Sequence, residues 1–241
     1  MRARALAAAL AAGLLGVAAA VHAAAPAPAG TVTFLAGEAT RTAGGRTEKL
    51  AVGSPVYQGD AVETARRSRL ELKLADASAL RLAPLSRVEL DAAAFGKGPD
   101  DRTVSARLRV GNVWAHVTKA LGGEARFEVK TDNAVAGVRG TTFRVDASKD
   151  RSVVVRVYSG TVAVAAGRIP RPEHAGPDAR PERRQVAGPQ EVTREQWERL
   201  VTAMMQVKVA ADGTPAEPAS FELAAADEWE TWNRARDAAG R

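Results

Sequence analysis

The residues with the most chemical promise lie in AVAGVRGTTFRV, Ala134 to Val145. Two glycines, an arginine and a Thr–Thr pair are the materials of a phosphate-cradling loop, because glycine lets backbone N–H groups approach an anion. A Walker loop, however, needs G-x-x-x-x-G-K-[ST] running into a helix. Here no lysine follows Gly140, and the next residues alternate as a strand does. The dinucleotide pattern G-x-G-x-x-G is absent too. The glycines therefore read as backbone permits. Gly140 allows positive φ or a bulge between strand segments, and Gly137 allows close approach of a neighbouring strand.

Other chemistries fail on residue type and spacing. Beyond His22 the histidines are His116 and His174, with no H-x-x-x-H and no cysteine anywhere. A metal site would then rest on carboxylates, and none is expected. No G-x-S-x-G occurs, and Gly53-Ser54-Pro55 is a plain turn. Glu71 and Glu89 are interleaved with Arg69, Arg81 and Arg87. That pattern predicts cross-strand charge pairing on a wet face rather than an acid/base pair. The expectation is a non-enzyme with no catalytic, metal or cofactor-binding residue and no cofactor.

Trp114 is a different kind of candidate. It shares a strand face with His116, opposite Val113, Ala115 and Val117. An exposed tryptophan suits a protein partner or a sugar ring, so Trp114 and His116 form a candidate partner face. The competing expectation is that C-terminal helices bearing Trp197, Trp229 and Trp232 fold back over Trp114.

The elements that would position these residues are strands. In Ser68 to Leu90, a unit recurs as SRLEL, SALRL and SRVEL, with Leu or Val alternating with charge. Each unit buries one face. The spacing is too short for a crossover helix, which excludes a βαβ fold. Alternation continues through TVSARLRV, NVWAHV, RFEVKT and TTFRVD, and RSVVVRVYSGTVAV reads as a hairpin turning at Ser159-Gly160. Regular short strands fit a sandwich, barrel or meander, while the repeat from Ser68 to Ser86 fits a solenoid with two strands per rung. The fold class expected is all-β, solenoid-like with two stacked sheets, plus a small C-terminal helical appendage. FGKGPDD, Phe95 to Asp101, reads as a surface loop.

Composition agrees. Hydrophobic residues make up 46% and charged residues 26%, ordinary for a globular chain, but aromatics are only 5%, so Val, Leu and Ala must build the core. The net charge of +6 is dispersed among interleaved acids, which argues against a nucleic-acid groove. Absence of cysteine excludes disulfides.

The ends differ from the middle. Arg2 and Arg4 precede an uncharged Ala/Leu/Val run, and Val21-His22-Ala23 fits a small-x-small cleavage site. Residues 1–23 are read as a signal peptide, with an uncleaved anchor as the alternative, and 24–29 as a flexible Ala/Pro stretch. The β domain spans 30–167. Residues 168–189 are rich in Pro and Arg and read as a linker. Residues 190–241 are read as helical. Thr193 and Gln196 suggest a capping box, with Trp197, Leu200, Val201 and Met204 as an amphipathic stripe. Asp227 and Glu228 then start a last helix that ends near Arg234 and Arg236.

The ordered motifs from Gly30 to Ala166 resemble the FecR domain family. They are GTVTFLAGEAT; GSPVYQGDAVET; LELKLADASALRLAPLSRVEL; LRVGNVWAHV; FEVKTDNAVAGVRGTTFRV; and VVRVYSGTVAV. The family-motif positions are Gly59, Asp60, Thr64, Asp76, Ser78, Gly111, Arg139, Gly140, Thr141 and Phe143. Ala77 departs from the glycine usual in the family's DGS, at a turn where positive φ would strain alanine. The resemblance implies an extracytoplasmic β module. Characterised members regulate sigma factors through a cytoplasmic helical domain and a membrane span ahead of that module. Export is read as starting at residue 1, so that role is not carried over. The expected function is an envelope scaffold or sensor, periplasmic or secreted, that binds an envelope protein. The alternatives are a glycan- or peptidoglycan-associated structural protein, or a membrane-anchored signalling regulator.

Overall fold

The computed structural model describes residues 26–95, 102–119, 126–138, 140–166 and 198–239. The signal-peptide, linker and Arg139 expectations, and those for Thr193, Gln196 and Trp197, lie outside the described residues. So does most of the loop before Asp101.

In chain order the strands begin with β1 (Gly30–Ala36), β2 (Ala39–Ala43), β3 (Arg46–Lys49), β4 (Pro55–Val56), β5 (Ala61–Thr64) and β6 (Arg69–Leu74). Next come β7 (Ala79–Leu82), β8 (Arg87–Phe95), β9 (Arg102–His116), β10 (Arg126–Lys130), β11 (Ala134–Val138) and β12 (Thr142–Ala147). The last are β13 (Val153–Ser159), β14 (Thr161–Ala166), β15 (Glu198–Thr202), β16 (Met205–Val209) and β17 (Ala219–Ser220), before helix α1 (Glu228–Ala239).

Pairing sorts the strands into two sheets. Sheet A runs β4-β1-β6-β7-β9-β12-β13-β16-β17. Sheet B runs β3-β2-β5-β8-β9-β10-β11-β14-β15. The first half of β9 belongs to sheet B and its last residues to sheet A, so this one strand joins both. The neighbours are antiparallel except β9 and β10, which are parallel. Between the sheets lies a core of alternate inward residues, among them Val32, Leu70, Leu82, Leu108, Phe143, Val155 and Val164, each almost fully buried. The all-β, two-sheet expectation holds, and among the described residues a single helix is appended.

The chain climbs the stack in sequence order, as a solenoid does, but the rungs are not the predicted units. SRLEL and SALRL form the antiparallel pair β6–β7 within sheet A, and only SRVEL crosses to sheet B. The Ser159-Gly160 turn is likewise no hairpin. It passes β13 of sheet A to β14 of sheet B.

Each short crossing between sheets contains a residue of positive φ: Gly37, Gly53, Gly59, Arg67, Leu85, Gly111, Gly140, Gly160 or Met204. An alternating strand cannot change sheets without a sharp bend, and a left-handed residue supplies it. Gly111 shows why glycine is needed at one of them. Its φ is +97°, and an added Cβ would lie 2.3 Å from Ser86 Oγ and 2.5 Å from Ser86 Cα. Gly137 is different. A Cβ there would meet only Ala163 O, at 3.9 Å, so the expected close approach is absent.

The crossings also change side. Ala36 pairs with Arg69, Leu70 with Leu82, and Leu82 with Val113, so the bends at Gly37, Arg67, Leu85 and Gly111 line one edge. Gly111 then pairs with Ala147, the far end of β12, while Thr142 pairs with Ser159 and Val157 with Met205. Gly140, Gly160 and Met204 therefore line the opposite edge.

Two expectations, one towards each end of the chain, need correction. Leu200, Val201 and Met204 do not sit on a helix. β15 and β16 extend the two sheets, with Val201, Val207 and Val209 buried and Leu200 exposed. Free edges of β14 and β13, together with the β-branched alternation of QVKV, outweigh a weak helical stripe. Ala29, read as part of a flexible stretch, is buried and its N–H donates to Val56 O at 2.8 Å. The last helix is present as read, with Asp227 Oδ1 accepting from Glu230 N at 3.0 Å as its N-cap.

Candidate functional site: a cationic row on sheet A beneath the C-terminal helix

One line of directly opposed residues crosses the outer face of sheet A. Phe34 faces Glu71, Glu71 faces Arg81, Arg81 faces Trp114, Trp114 faces Arg144, and Arg144 faces Arg156. Alternation places these side chains on the side away from the aliphatic core. The row carries three guanidinium groups and one carboxylate, so it has an excess of positive charge. Helix α1 covers it.

The helix supplies the missing acids. Arg81 Nη1 donates to Asp237 Oδ1 at 2.6 Å, and Arg81 Nε donates to Glu71 Oε2 at 2.5 Å. Arg144 Nη1 donates to Asp227 Oδ2 at 2.6 Å and its Nε to Asp146 Oδ1 at 2.6 Å. Asp146 also accepts from Arg156 at 2.7 Å and from Asn112. In return Arg236 of α1 donates twice to Glu71, at 2.9 Å each. Glu71 and Arg81 are buried, at 7% and 4% exposure, so Glu71 does not lie on the wet face expected for it. Glu89 does: it stays partly exposed on sheet B and accepts from Arg109.

Burial and pairing set the charge states. Burial pushes the Glu71 carboxyl up, but hydrogen bonds from Arg236, Arg81 and Thr33 outweigh it and hold the pKa at about 2. Burial acts against the charged Arg144 too, yet Asp146 and Asp227 raise it above the ordinary value. Asp227 is lowered: its desolvation is outweighed by the Glu230 backbone N–H and Arg144. The Tyr158 hydroxyl, on a half-buried side chain and donating to Glu230 at 3.1 Å, is raised first by its partial burial and then by the Glu230 charge.

Aromatic rings complete the contact. Trp114 packs on Tyr158 at 4.2 Å between centroids, Trp229 stacks on Trp232 at 5.3 Å, and Trp232 meets Phe34 at 5.2 Å. Trp114, Trp229 and Ala83 form a small core of their own, separate from the one between the sheets. Trp114 is 0% exposed. It therefore offers no free partner face, because α1 occupies that ground. His116 remains partly exposed, with Nδ1 2.9 Å from Thr142 Oγ1 and 3.8 Å from Asp237 Oδ1.

The described motif residues other than Phe143 lie at or beside bends and turns, away from this row. Gly59 has φ +88°, and Asp60 Oδ2 accepts from Tyr57 N at 2.8 Å and pairs with Arg41. Thr64 Oγ1 donates to Ala83 O at 2.6 Å and accepts from Ser86 N at 3.0 Å, tying two crossings together. Asp76 accepts from Ser78 N and Ser78 Oγ, both at 2.9 Å, and Ser78 Oγ accepts from Thr118 N. Gly111 and Gly140 sit at crossings. Thr141 Oγ1 donates to Thr161 O at 3.1 Å, and Phe143 is fully buried in the core. The structure thus gives these positions fastening roles and brings none of them into a common cleft.

Residues 60–163 match the family described as FecR protein. This chain carries a FecR domain. No curated protein matches it. It is also similar to two crystal structures of a candidate anti-sigma factor from Parabacteroides distasonis. One has a TM-score of 0.48 at 16% identity, covering 72% of this chain and 64% of that one. The other has a TM-score of 0.47 at 16% identity, covering 67% and 60%. The chain thus spans less than two thirds of either.

The FecR match includes Glu71, Arg81, Trp114 and Arg144 but ends before α1. The helix and the FecR row are complementary in charge across that boundary. Sequence reading singled out Trp114 and, separately, charge pairing among Glu71 and Arg81, but missed Arg144 and Arg156 and the line they all share. Their shared line depends on strand register, which a sequence does not print.

Proposed function

We propose that this protein is a non-catalytic regulatory scaffold or sensor of the cell envelope, and that its FecR domain works by receiving a helix on sheet A. The observation that carries this reading is the complementarity of the row with α1. A surface with Arg81, Arg144 and Trp114 is matched by a helix with two spaced tryptophans and by an acid at each of its ends, Asp227 and Asp237. Such a groove-and-helix contact is a common recognition mode. α1 is then the resident occupant, and the partner is an envelope protein offering an acidic, tryptophan-bearing helix. The N-terminal export-like segment supports an envelope setting.

The contact is largely polar, so exchange is accessible: charged pairs contribute less net stability than equal apolar area. Two variants test this. Arg236→Glu, which sets two acids against each other at Glu71, loosens α1. An engineered disulfide between α1 and sheet A, in a chain without cysteine, locks it. Partner capture from an envelope extract should rise with the first and disappear with the second. Equal capture by both would refute a role for the row.

A further inference from the structure

Among the described residues, the change of edge described above leaves a place where the sandwich is not sewn shut. Up to Gly111 the chain itself crosses between the sheets at the first edge. Beyond it, sheet B turns back through Thr131–Asn133 and sheet A turns back through Ser148–Ser152, two separate turns facing each other. A cavity of about 310 Å³ opens between them. We propose that this cavity binds the free terminal carboxylate of a peptide whose last residue is small and apolar.

The lining fits that ligand. Val110, Ala147 and Val153 provide apolar wall, and Arg109, Lys149 and Arg151 bring positive charge, against one acid, Asp132. Arg109 is already committed to Glu89 at 2.8 Å and Asp132 at 3.2 Å. Lys149 and Arg151 form no ion pair with the described residues, and both are exposed at the mouth. An ammonium and a guanidinium at the mouth of a partly apolar slot match a carboxylate followed by a short side chain.

The floor is rigid. Asn133 is buried, and its Nδ2 donates to Arg151 O and to Ala210 O, both at 2.7 Å. That single amide ties the sheet B turn to the sheet A turn. Thr131 Oγ1 accepts from Ala134 N at 3.0 Å and holds the same turn.

Arg151 supplies an independent observation. Its φ is +69°, a left-handed conformation that arginine adopts at a cost. Glycine or asparagine would serve this turn better. Its side chain stands exposed at the mouth of the cavity.

The test separates fold from ligand, and it does not depend on α1. Acetyl-Ala-Ala with a free carboxylate is titrated into the full chain, followed by amide chemical shifts, beside the same peptide as its C-terminal amide and beside inorganic phosphate. The free acid is expected to bind at least about tenfold more tightly than either. Arg151→Gly should leave the melting temperature equal or higher while weakening the acid at least about fivefold, and Lys149→Gln should weaken it similarly. Equal binding of acid and amide overturns the proposal. So does phosphate binding as tightly as the acid, absence of binding by the acid, or full affinity in the Arg151→Gly chain.

Discussion

Trp114 donates its indole Nε1–H to Asp237 Oδ2 at 2.9 Å, across 123 residues of sequence. Asp237 accepts from Arg81 as well, so one carboxylate of α1 satisfies both a buried indole and a buried guanidinium. Replacing it by alanine leaves the guanidinium with Glu71 and the longer contacts to Asn233 O and Oδ1, both at 3.4 Å, and takes away the indole's acceptor. Asp237→Ala should therefore cost about 2–4 kcal/mol. Urea unfolding followed by tryptophan fluorescence reads this directly, and an unchanged midpoint would mean that α1 adds nothing to the fold.

Acid should undo the same contact. The Glu71 carboxyl is held at about 2 in the folded chain against an ordinary 4.5, and Asp227 is lowered as well. Both groups bind protons less readily when folded than when unfolded. Their stabilisation is complete above about pH 4.5 and is lost as the pH falls through the folded values. For Glu71 the loss by pH 2 is on the order of 3 kcal/mol. A denaturation series from pH 6 to pH 2 should show it, and Glu71→Gln should flatten the slope below pH 4.5. A Glu71→Gln chain with the parent's slope would remove Glu71 as the cause.

Much of this architecture was legible because a half-buried strand reveals itself by alternation. Val113, Ala115 and Val117 read as inward before any pairing was known, and they are buried. The FecR domain was legible through turn chemistry: Asp76 with Ser78 and Gly59 with Asp60 occupy turns that need those residues. What stayed hidden depended on partners. Leu200 and Val201 fit a helical stripe until β14 is there to pair with them. Glu71 looked solvated because α1, which buries it, comes from the far end of the chain. Arg67, Leu85 and Met204 bend the chain at crossings without glycine, so no sequence signal marked those bends.

The two glycines of like appearance should behave in opposite ways. Gly111 combines φ +97° with a Cβ position inside the contact distance of Ser86 backbone, which cannot move without breaking the crossing it belongs to. Gly111→Ala should cost about 3 kcal/mol or more. Gly137 has room for a methyl group, so Gly137→Ala should be neutral or stabilising by up to about 1 kcal/mol. Gly140→Val belongs with the first, since its φ is +64° and a Cβ would lie 2.9 Å from Lys119 Cβ. Thermal melts of the three variants give the ranking, and a Gly111→Ala chain as stable as Gly137→Ala would contradict the corner assignment.

Ala77 is the one motif position where this chain carries the less suitable residue. Its φ is +66°, in the turn whose ends are closed by Ala77 N donating to Leu74 O at 3.0 Å and Ser78 N donating to Asp76 Oδ1 at 2.9 Å. A Cβ in that conformation crowds the following carbonyl, at a cost of about 1–2 kcal/mol. The side chain is exposed, so no packing is lost when it goes. Glycine gives back part of the gain through the greater freedom of its unfolded chain. Ala77→Gly should therefore stabilise the FecR domain by about 0.5–1 kcal/mol, seen as a higher urea midpoint with an unchanged slope. Ala77→Val, which keeps the strain and adds a β-branch, should lower the midpoint, and a rise with valine would show that the turn is not left-handed.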